Sequence, residues 1–356
     1  MTLFLGLVQT GVQPDAQPDI QTRIKARFVS AMRGALTVGA ALAFSLGGLP
    51  ASAKTPAVTT IGIASLGPHP SLAKTIQGFK DEMTKEGYVD GKNVDYTYSD
   101  ANFTQALMPQ MFSQILSKHP AMILTVTTSV SQVARAAVTD HKLPLIFTEV
   151  TDPVAAGLVP DWQHGSDRFT GSSDLQNFDA VLDFAKRAFP GVKSFGTLYN
   201  PGEANDVVTT HALADAAKRA GLEFKPVSVD SVNDIEQRAQ MLKGVGFVYI
   251  TGSNLVQSAI PAVAASMLRM KVPVLSSETE AIKKGMATAS YAVSLESVGA
   301  NAAKQAVRVL KGESTATLPV LKPAPTDYVT SLSKTQFAKL GLTIPKSFED
   351  CKCFIN

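Results

Sequence analysis

Apolar positions along this chain alternate between a strand period and a helix period. Val58 to Leu66 is a nearly continuous apolar run stopped by Gly67-Pro68, which reads as a buried strand. Leu72, Ile76, Phe79 and Met83 then fall on one helical stripe. Ser71 is the expected cap of that helix, and Gly87 stands where a terminating glycine belongs. Val94 to Tyr98 alternates as a strand, Leu107, Met111 and Ile115 mark a helix, and Ala121 to Val126 is a third strand. Val130, Val133, Ala134 and Ala137 mark another helix before the strand Leu143 to Phe147. Strands alternating with helices in this way predict a parallel sheet covered on both faces.

A more polar stretch, 160–174, holds the only tryptophan, Trp162, and then the pattern restarts. Strands are expected at 193–200, 223–230, 246–251 and 272–275, with helices over 205–221 and through Ile260, Val263, Ala264 and Met267. Thr151-Asp152 to Gly157 aligns with Thr279-Glu280 to Gly285 at an offset of 128 residues. Two copies at so long a period describe a pair of lobes, not a solenoid. A strand over 287–293, a helix through Val298, Ala302, Ala306 and Val309, a proline-rich linker over 318–325 and an extended piece over 327–333 complete the pattern. The expected fold is α/β: two Rossmann-like lobes with parallel sheets joined by a multi-strand hinge. Residues 54–172 with 290–325 form the first lobe in this reading, and 173–289 with 326–350 the second, followed by a frayed tail over 351–356.

The leader changes the charge and the expected location. Arg23, Lys25, Arg27 and Arg33 precede an apolar run from Ala35 to Leu49, then Pro50 and Ala51-Ser52-Ala53. That is a secretory signal peptide with an upstream extension over 1–53, cleaved after Ala53; the run is shorter than the roughly 20 residues needed to span a bilayer. The chain has 33 basic and 30 acidic residues, and most of this small excess lies in the leader. A nearly neutral mature chain gives no electrostatic reason to expect nucleic acid or an anionic membrane as partner. The two cysteines, Cys351 and Cys353, lie at the carboxyl end, so no cysteine follows the apolar run to carry a lipid. An exported, unanchored protein of this kind is expected in a periplasm, as a monomer without stable membrane insertion. Cys-Lys-Cys offers a local disulfide or two soft ligands of an incomplete metal site.

Candidate chemistry gathers where strands end, because ligands of open parallel sheets bind beyond the carboxyl ends of the strands. Ser65 and His69 follow the first strand, Thr127, Thr128 and Ser129 the third, and Thr148, Glu149, Thr151 and Asp152 the fourth. The second half supplies Asn200, Glu203, Ala204 and Asn205, then Thr251, Ser253 and Asn254, then Ser277 and Glu278. Hydroxyls and amides at helix starts either cap the helix or, with its free N–H groups, hold a carboxylate. Glu149, Asp152, Glu203 and Glu278 can pair with an ammonium, so the set suits a zwitterion such as an α-amino acid. Phe147, Tyr199 and Tyr291 are candidates for its side-chain pocket. No nucleophile elbow, phosphate loop or dinucleotide fingerprint is present, and the five histidines lack metal-ligand spacing. No enzyme, cofactor or metal is expected.

Several motifs support a resemblance: Ile61-Gly-Ile, Phe79 to Tyr88, Gly91-Lys-Asn-Val94, Phe147 to Val159, Thr170-Gly-Ser-Ser-Asp-Leu175, Leu198 to Asn205 and Leu340 to Pro345. With these, residues 58–349 resemble the ABC transporter substrate-binding proteins that include tryptophan- and tyrosine-type binders. The resemblance implies a type 1 periplasmic binding fold, an ABC permease and its ATPase as partners, and ligand contacts from the strand-end loops named above. Two loops depart from the family pattern: Thr251 to Asn254 carries no acidic residue, and Ser276-Ser-Glu-Thr279 has glutamate where aspartate is common. The expected function is delivery of a small zwitterionic ligand, an amino acid and by expectation an aromatic one, to a membrane permease. The alternative is a periplasmic sensor subunit of the same fold, signalling to a membrane kinase or chemoreceptor.

Overall fold

The computed structural model describes residues 58–355; the expected signal peptide lies outside them. Its first half runs β1 (Thr59–Ser65), α1 (Pro70–Lys85), β2 (Val94–Asp100), α2 (Met108–Leu116), β3 (Met122–Val126), α3 (Thr128–Ala137), β4 (Leu145–Thr148) and β5 (Phe169–Gly171). The strands pair in parallel in the order β2-β1-β3-β4-β5. β3 and β4 are buried along their whole length, as strands covered on both faces must be. That is why they read as apolar runs relieved only by Thr125 and the terminal Thr148.

The second half follows with α4 (Phe178–Ala188), β6 (Ser194–Tyr199), α5 (Ala204–Ala220), β7 (Glu223–Ser228), α6 (Ile235–Ala239), β8 (Phe247–Ile250) and α7 (Asn254–Ser258). It continues through α8 (Ile260–Arg269), β9 (Val274–Ser276), α9 (Thr279–Lys283), β10 (Ala289–Val293), α10 (Leu295–Leu310), β11 (Tyr328–Leu332) and α11 (Lys334–Leu340). This sheet has the order β7-β6-β8-β9-β10-β11, parallel except for the antiparallel pair β10–β11. Without β11, both sheets share one strand order, and each has its topological switch point between its first and third strands.

The internal repeat extends to individual hydrogen bonds. Gly157 N–H donates to Val154 O and Gly285 N–H to Ile282 O, both at 2.9 Å. Leu158 donates to Pro153 O at 2.9 Å and Met286 to Ala281 O at 2.8 Å, again 128 residues apart. Gly157 and Gly285 have φ of 71° and 67°, a left-handed turn that strongly favours glycine. The repeated glycine marks the place where the chain turns after the loop that ends each half's fourth strand.

Three crossings join the two sheets: after β5, between β10 and α10, and ahead of β11. They are hydrogen-bonded to one another. Ser173 N–H donates to Leu321 O at 2.8 Å, Leu321 N–H to Gly171 O at 3.0 Å, and Ser294 N–H to Asp327 O at 2.7 Å. α10 returns to the first sheet, where Ala302, Ala303, Ala306 and Val307 join the core of Phe79, Phe112 and Phe147. It crosses α1 in backbone contact: a Cβ on Gly299 would lie 1.9 Å from Thr75 O, and one on Gly78 2.2 Å from Glu296 O. The expected return to the first lobe at 290 is corrected here. β10 is hydrogen-bonded between β9 and β11 in the second sheet, so the return begins at Ser294, one strand later. An apolar run such as 287–293 does not itself say which sheet it joins.

The second sheet has a core on each face, one around Phe184, Phe195, Phe247 and Phe337, the other around Val248, Ile250 and Val263. The tail is not frayed as expected. Leu332 N–H donates to Cys353 O and Ile355 N–H to Leu332 O, both at 2.9 Å, and Cys351 is disulfide-bonded to Cys353. The tail therefore pairs with the free edge of β11, which would otherwise leave backbone groups unpaired. Among the described residues no helix is long and apolar enough to cross a membrane.

Candidate ligand-binding site

The carboxyl ends of the two sheets face each other across a cleft with about 830 Å³ of empty space, part of it open to solvent. The first lobe supplies His69, Thr127, Thr128, Glu149 and Thr151. The second supplies Asn205, Thr251, Ser253, Asn254, Ser277 and Glu278. These strand-end residues were all expected, and the fold brings them together.

Local geometry places them. Pro70 opens α1, and His69 Nδ1 accepts from Ser71 N–H at 3.3 Å, so His69 takes the capping position expected of Ser71. The Ser71 hydroxyl is thereby free to donate across the cleft to the Glu278 carboxylate. Glu149 lies at φ 52°, a conformation rarely adopted by non-glycine residues and one that concentrates at functional sites. Its carboxylate accepts from the Thr75 hydroxyl on α1. Ser253 caps α7, accepting from Val256 N–H at 3.3 Å.

Three carboxyls meet in the cleft. Glu149 is pushed up to about 8, first by burial, against the pull of Thr75, with the charges of Glu278 and Asp174 adding to the rise. Glu278 is pushed up to about 7, again first by burial, with Ser71 opposing and Asp174 and Glu280 adding. Burial likewise raises Asp174, while the Thr151 hydroxyl pulls it down. Such an arrangement favours a cation, since an ammonium offsets both the burial cost and the mutual repulsion.

Nine buried side-chain polar atoms lack a hydrogen-bond partner among the described residues, and five of them belong to residues lining this cavity: Asp174 Oδ1, Thr251 Oγ1, Asn254 Nδ2, Gln257 Oε1 and Ser277 Oγ. Buried polar atoms are normally satisfied. Their concentration here, as acceptors, hydroxyls and one amide donor, describes a surface shaped for a polar ligand. Leu66, Leu72, Phe103, Phe178, Val293 and Leu295 add an apolar wall.

The remaining expected residues lie elsewhere. Ser65 is buried with its hydroxyl toward Gly67 O at 3.4 Å, and the Thr148 hydroxyl lies 3.2 Å from that of Ser172. Asp152 accepts from Val154 and Ala155 N–H, both at 3.0 Å, and so holds the Pro153 turn. Tyr291 stacks between Phe184 and Tyr328, with centroids 5.4 and 5.0 Å away, because its strand position points it toward α4. Of the other expected pocket aromatics, Phe147 is core and Tyr199 lies between α5 and β7. Ser129, Asn200, Glu203 and Ala204 line an adjoining outer groove instead. There Glu203 accepts from Asn254 N–H at 2.8 Å and Leu255 N–H at 3.0 Å, fixing the start of α7.

Sequence reasoning missed Asp174, Gln176, Tyr249, Gln257 and Phe103. Asp174 lies within the Thr170-to-Leu175 motif, a signal available but unused. Gln176 accepts from the Tyr249 hydroxyl at 3.1 Å and donates to Ser277 O at 3.3 Å. It lies on the first crossing, whose position depends on both lobes.

Known proteins share this architecture. The tyrosine-binding protein of Clostridioides difficile (strain R20291) is 31% identical over 261 residues, 73% of this chain and 75% of that protein. An ABC domain in complex with L-Trp from Streptococcus pneumonia is 27% identical, with a TM-score of 0.77 over 84% of this chain and 100% of that one. A ligand-free, open substrate binding protein with adhesive properties from Clostridium difficile is 29% identical but has a TM-score of 0.65, over 84% and 99% of the two chains. The family profile described as ABC transporter substrate binding protein matches residues 60–350. Its members are solute-binding proteins, not enzymes, and this chain belongs to the ABC transporter substrate-binding protein family.

Proposed function

We propose that the protein is an exported receptor that binds an aromatic α-amino acid between its lobes and delivers it to an ABC permease. The observation that carries this reading is the convergence of five orphaned polar atoms and three buried carboxyls on one cavity. The ammonium is held by Glu149, Asp174 and Glu278. The carboxylate is held by Asn254 Nδ2, the hydroxyls of Thr127, Thr128 and Thr251, and the N–H groups at the start of α3. The side chain packs on Leu66, Leu72, Phe103 and Phe178. The named ligands of the tyrosine- and tryptophan-binding relatives support an aromatic side chain.

Ligand bridges both lobes and favours the closed form, which a permease and its ATPase recognise. Taking a two-state balance from 1:99 to 99:1 requires about 5.5 kcal/mol of differential binding. The leader over 1–53 supports a periplasmic location. A thermal-shift panel of the twenty amino acids, with sugars and polyols as controls, tests the reading. Tyrosine, tryptophan or phenylalanine should raise Tm most. A response to sugars alone would refute it.

A further inference from the structure

The inner cavity and the outer groove are neighbouring spaces with a shared wall. Leu66 and Phe103 from the first lobe, and Asn205 and Asn254 from the second, line both. The outer groove is wide, with about 1680 Å³ of empty space partly open to solvent, and it runs between α3 and the start of α5. None of the three carboxyls lines it.

Phe103 is the bulkiest member of that wall, and its backbone is held in an uncommon conformation. Asn102 and Phe103 have φ of 46° and 58°, consecutive left-handed residues of which the second has no polar side chain to favour it. Hydrogen bonds fix the loop: Asn102 N–H donates to Asp100 Oδ1, Phe103 N–H to Leu66 O and Thr104 N–H to Ala101 O, each at 2.8 Å. The Phe103 ring lies edge-on to His69, with centroids 6.5 Å apart. It is packed so closely on Gly67 that a Cβ there would fall 2.7 Å from two of its carbons. Yet the residue is 37% exposed, unlike the core phenylalanines. A strained, hydrogen-bonded backbone holding a partly exposed ring between two spaces is the geometry of a partition.

We propose that Phe103 is the specificity-determining partition of the site, limiting the ligand to a single amino acid. This rests on the amino-acid reading above. With the ammonium at the carboxyl cluster and the carboxylate toward Asn254, a ligand extended at its carboxyl end runs through the shared wall into the outer groove. The ring blocks that path. Removing it makes one continuous cleft suited to a short peptide with a free amino end.

Phe103→Ala removes the ring, and Gly67→Ala displaces it from the other side; Gly67 carries no positive φ, so the added methyl acts through the ring. Calorimetric titrations with L-tyrosine, L-tryptophan, Tyr-Gly and Trp-Gly measure the ratio of dipeptide to amino-acid affinity. In the unaltered chain the amino acids should bind and the dipeptides should not. Both variants should shift the ratio toward the dipeptide by about tenfold or more, the usual scale for a change in pocket volume. An unchanged ratio in both variants, with native circular dichroism, would overturn the partition, as would dipeptide binding by the unaltered chain. Failure of any amino acid to bind would strike the functional reading instead. The partition is then decided by maleimide labelling of Thr209→Cys, on the inner cavity wall, which should speed up about tenfold when Phe103→Ala is added and would contradict the proposal if it did not.

Discussion

Lys74 on α1 of the first lobe lies 2.8 Å from Glu280 on α9 of the second, and 3.1 Å from Glu296 on α10. With the Ser71–Glu278 hydrogen bond one turn away, this makes the start of α1 the place where the lobes are joined on one rim of the cleft. The joint between the lobes therefore includes a charge pair as well as a hydrogen bond.

Lys74→Met should weaken that joint. The pair is partly exposed, so its worth is on the order of 0.5–1 kcal/mol, or roughly two- to fivefold in ligand affinity. Small-angle scattering should show a larger radius of gyration for the ligand-free variant, and added salt should reduce the difference. Identical scattering from the two proteins would remove the pair from the closure balance.

Glu149→Gln separates binding from stability. In the proposed binding mode the change deletes a partner of the ammonium, at an expected cost of about 2–4 kcal/mol in affinity. It also deletes a buried charge the fold tolerates poorly, so the ligand-free variant should melt higher at pH 8. Lower affinity together with lower stability would mark Glu149 as a structural residue.

The same carboxyls set a pH dependence whose sign is fixed. Glu149 and Glu278 titrate near 8 and 7 in the fold, against 4.5 as the ordinary value. Between those values the unfolded chain binds fewer protons than the folded one, so stability falls as pH rises from about 4.5 to 8, and then levels. An ammonium ligand prefers the ionised carboxyls, so its affinity should rise over the upper part of that window. Melting of the ligand-free and liganded protein at pH 5 and pH 8 checks both slopes. A ligand-free protein more stable at pH 8 than at pH 5 would contradict the cluster's assignment.

Glu203→Ala should lower affinity without removing a ligand contact. Glu203 holds the N–H groups of Asn254 and Leu255, and losing a cap of this kind costs about 1 kcal/mol. Asn254 and Ser253 then lose their fixed placement. Glu203→Gln, which keeps an acceptor, should restore most of the affinity in calorimetry, whereas a direct ammonium contact would not be rescued.

The architecture was largely legible because both periods and the 128-residue offset are written into apolar positions and turn glycines such as Gly157 and Gly285. Strand-end residues such as Glu149, Thr251 and Glu278 could be found because topology fixes where strands end. Three kinds of feature could not. Tyr249 sits inside β8 and reads as core, though its hydroxyl reaches the crossing. Gln176 is placed by the first crossing, whose course depends on both lobes, and Phe103 by a left-handed loop that no apolar period marks. The division of labour among acidic residues was also hidden: Glu203 pins a helix and Asp152 a turn, while Glu149 and Glu278 face the cavity. Spacing alone does not distinguish these roles.

Calorimetric titration of the purified mature chain with L-tyrosine and L-tryptophan, each beside the analogue lacking only the amino group, tests the central claim most directly. If buried carboxyls receive the ammonium, the amino acids should bind and their des-amino analogues should be weaker by at least about 100-fold, since loss of a buried charge partner costs 3–5 kcal/mol. Equal affinity for an amino acid and its des-amino analogue would mean that the carboxyl cluster does not recognise the ligand.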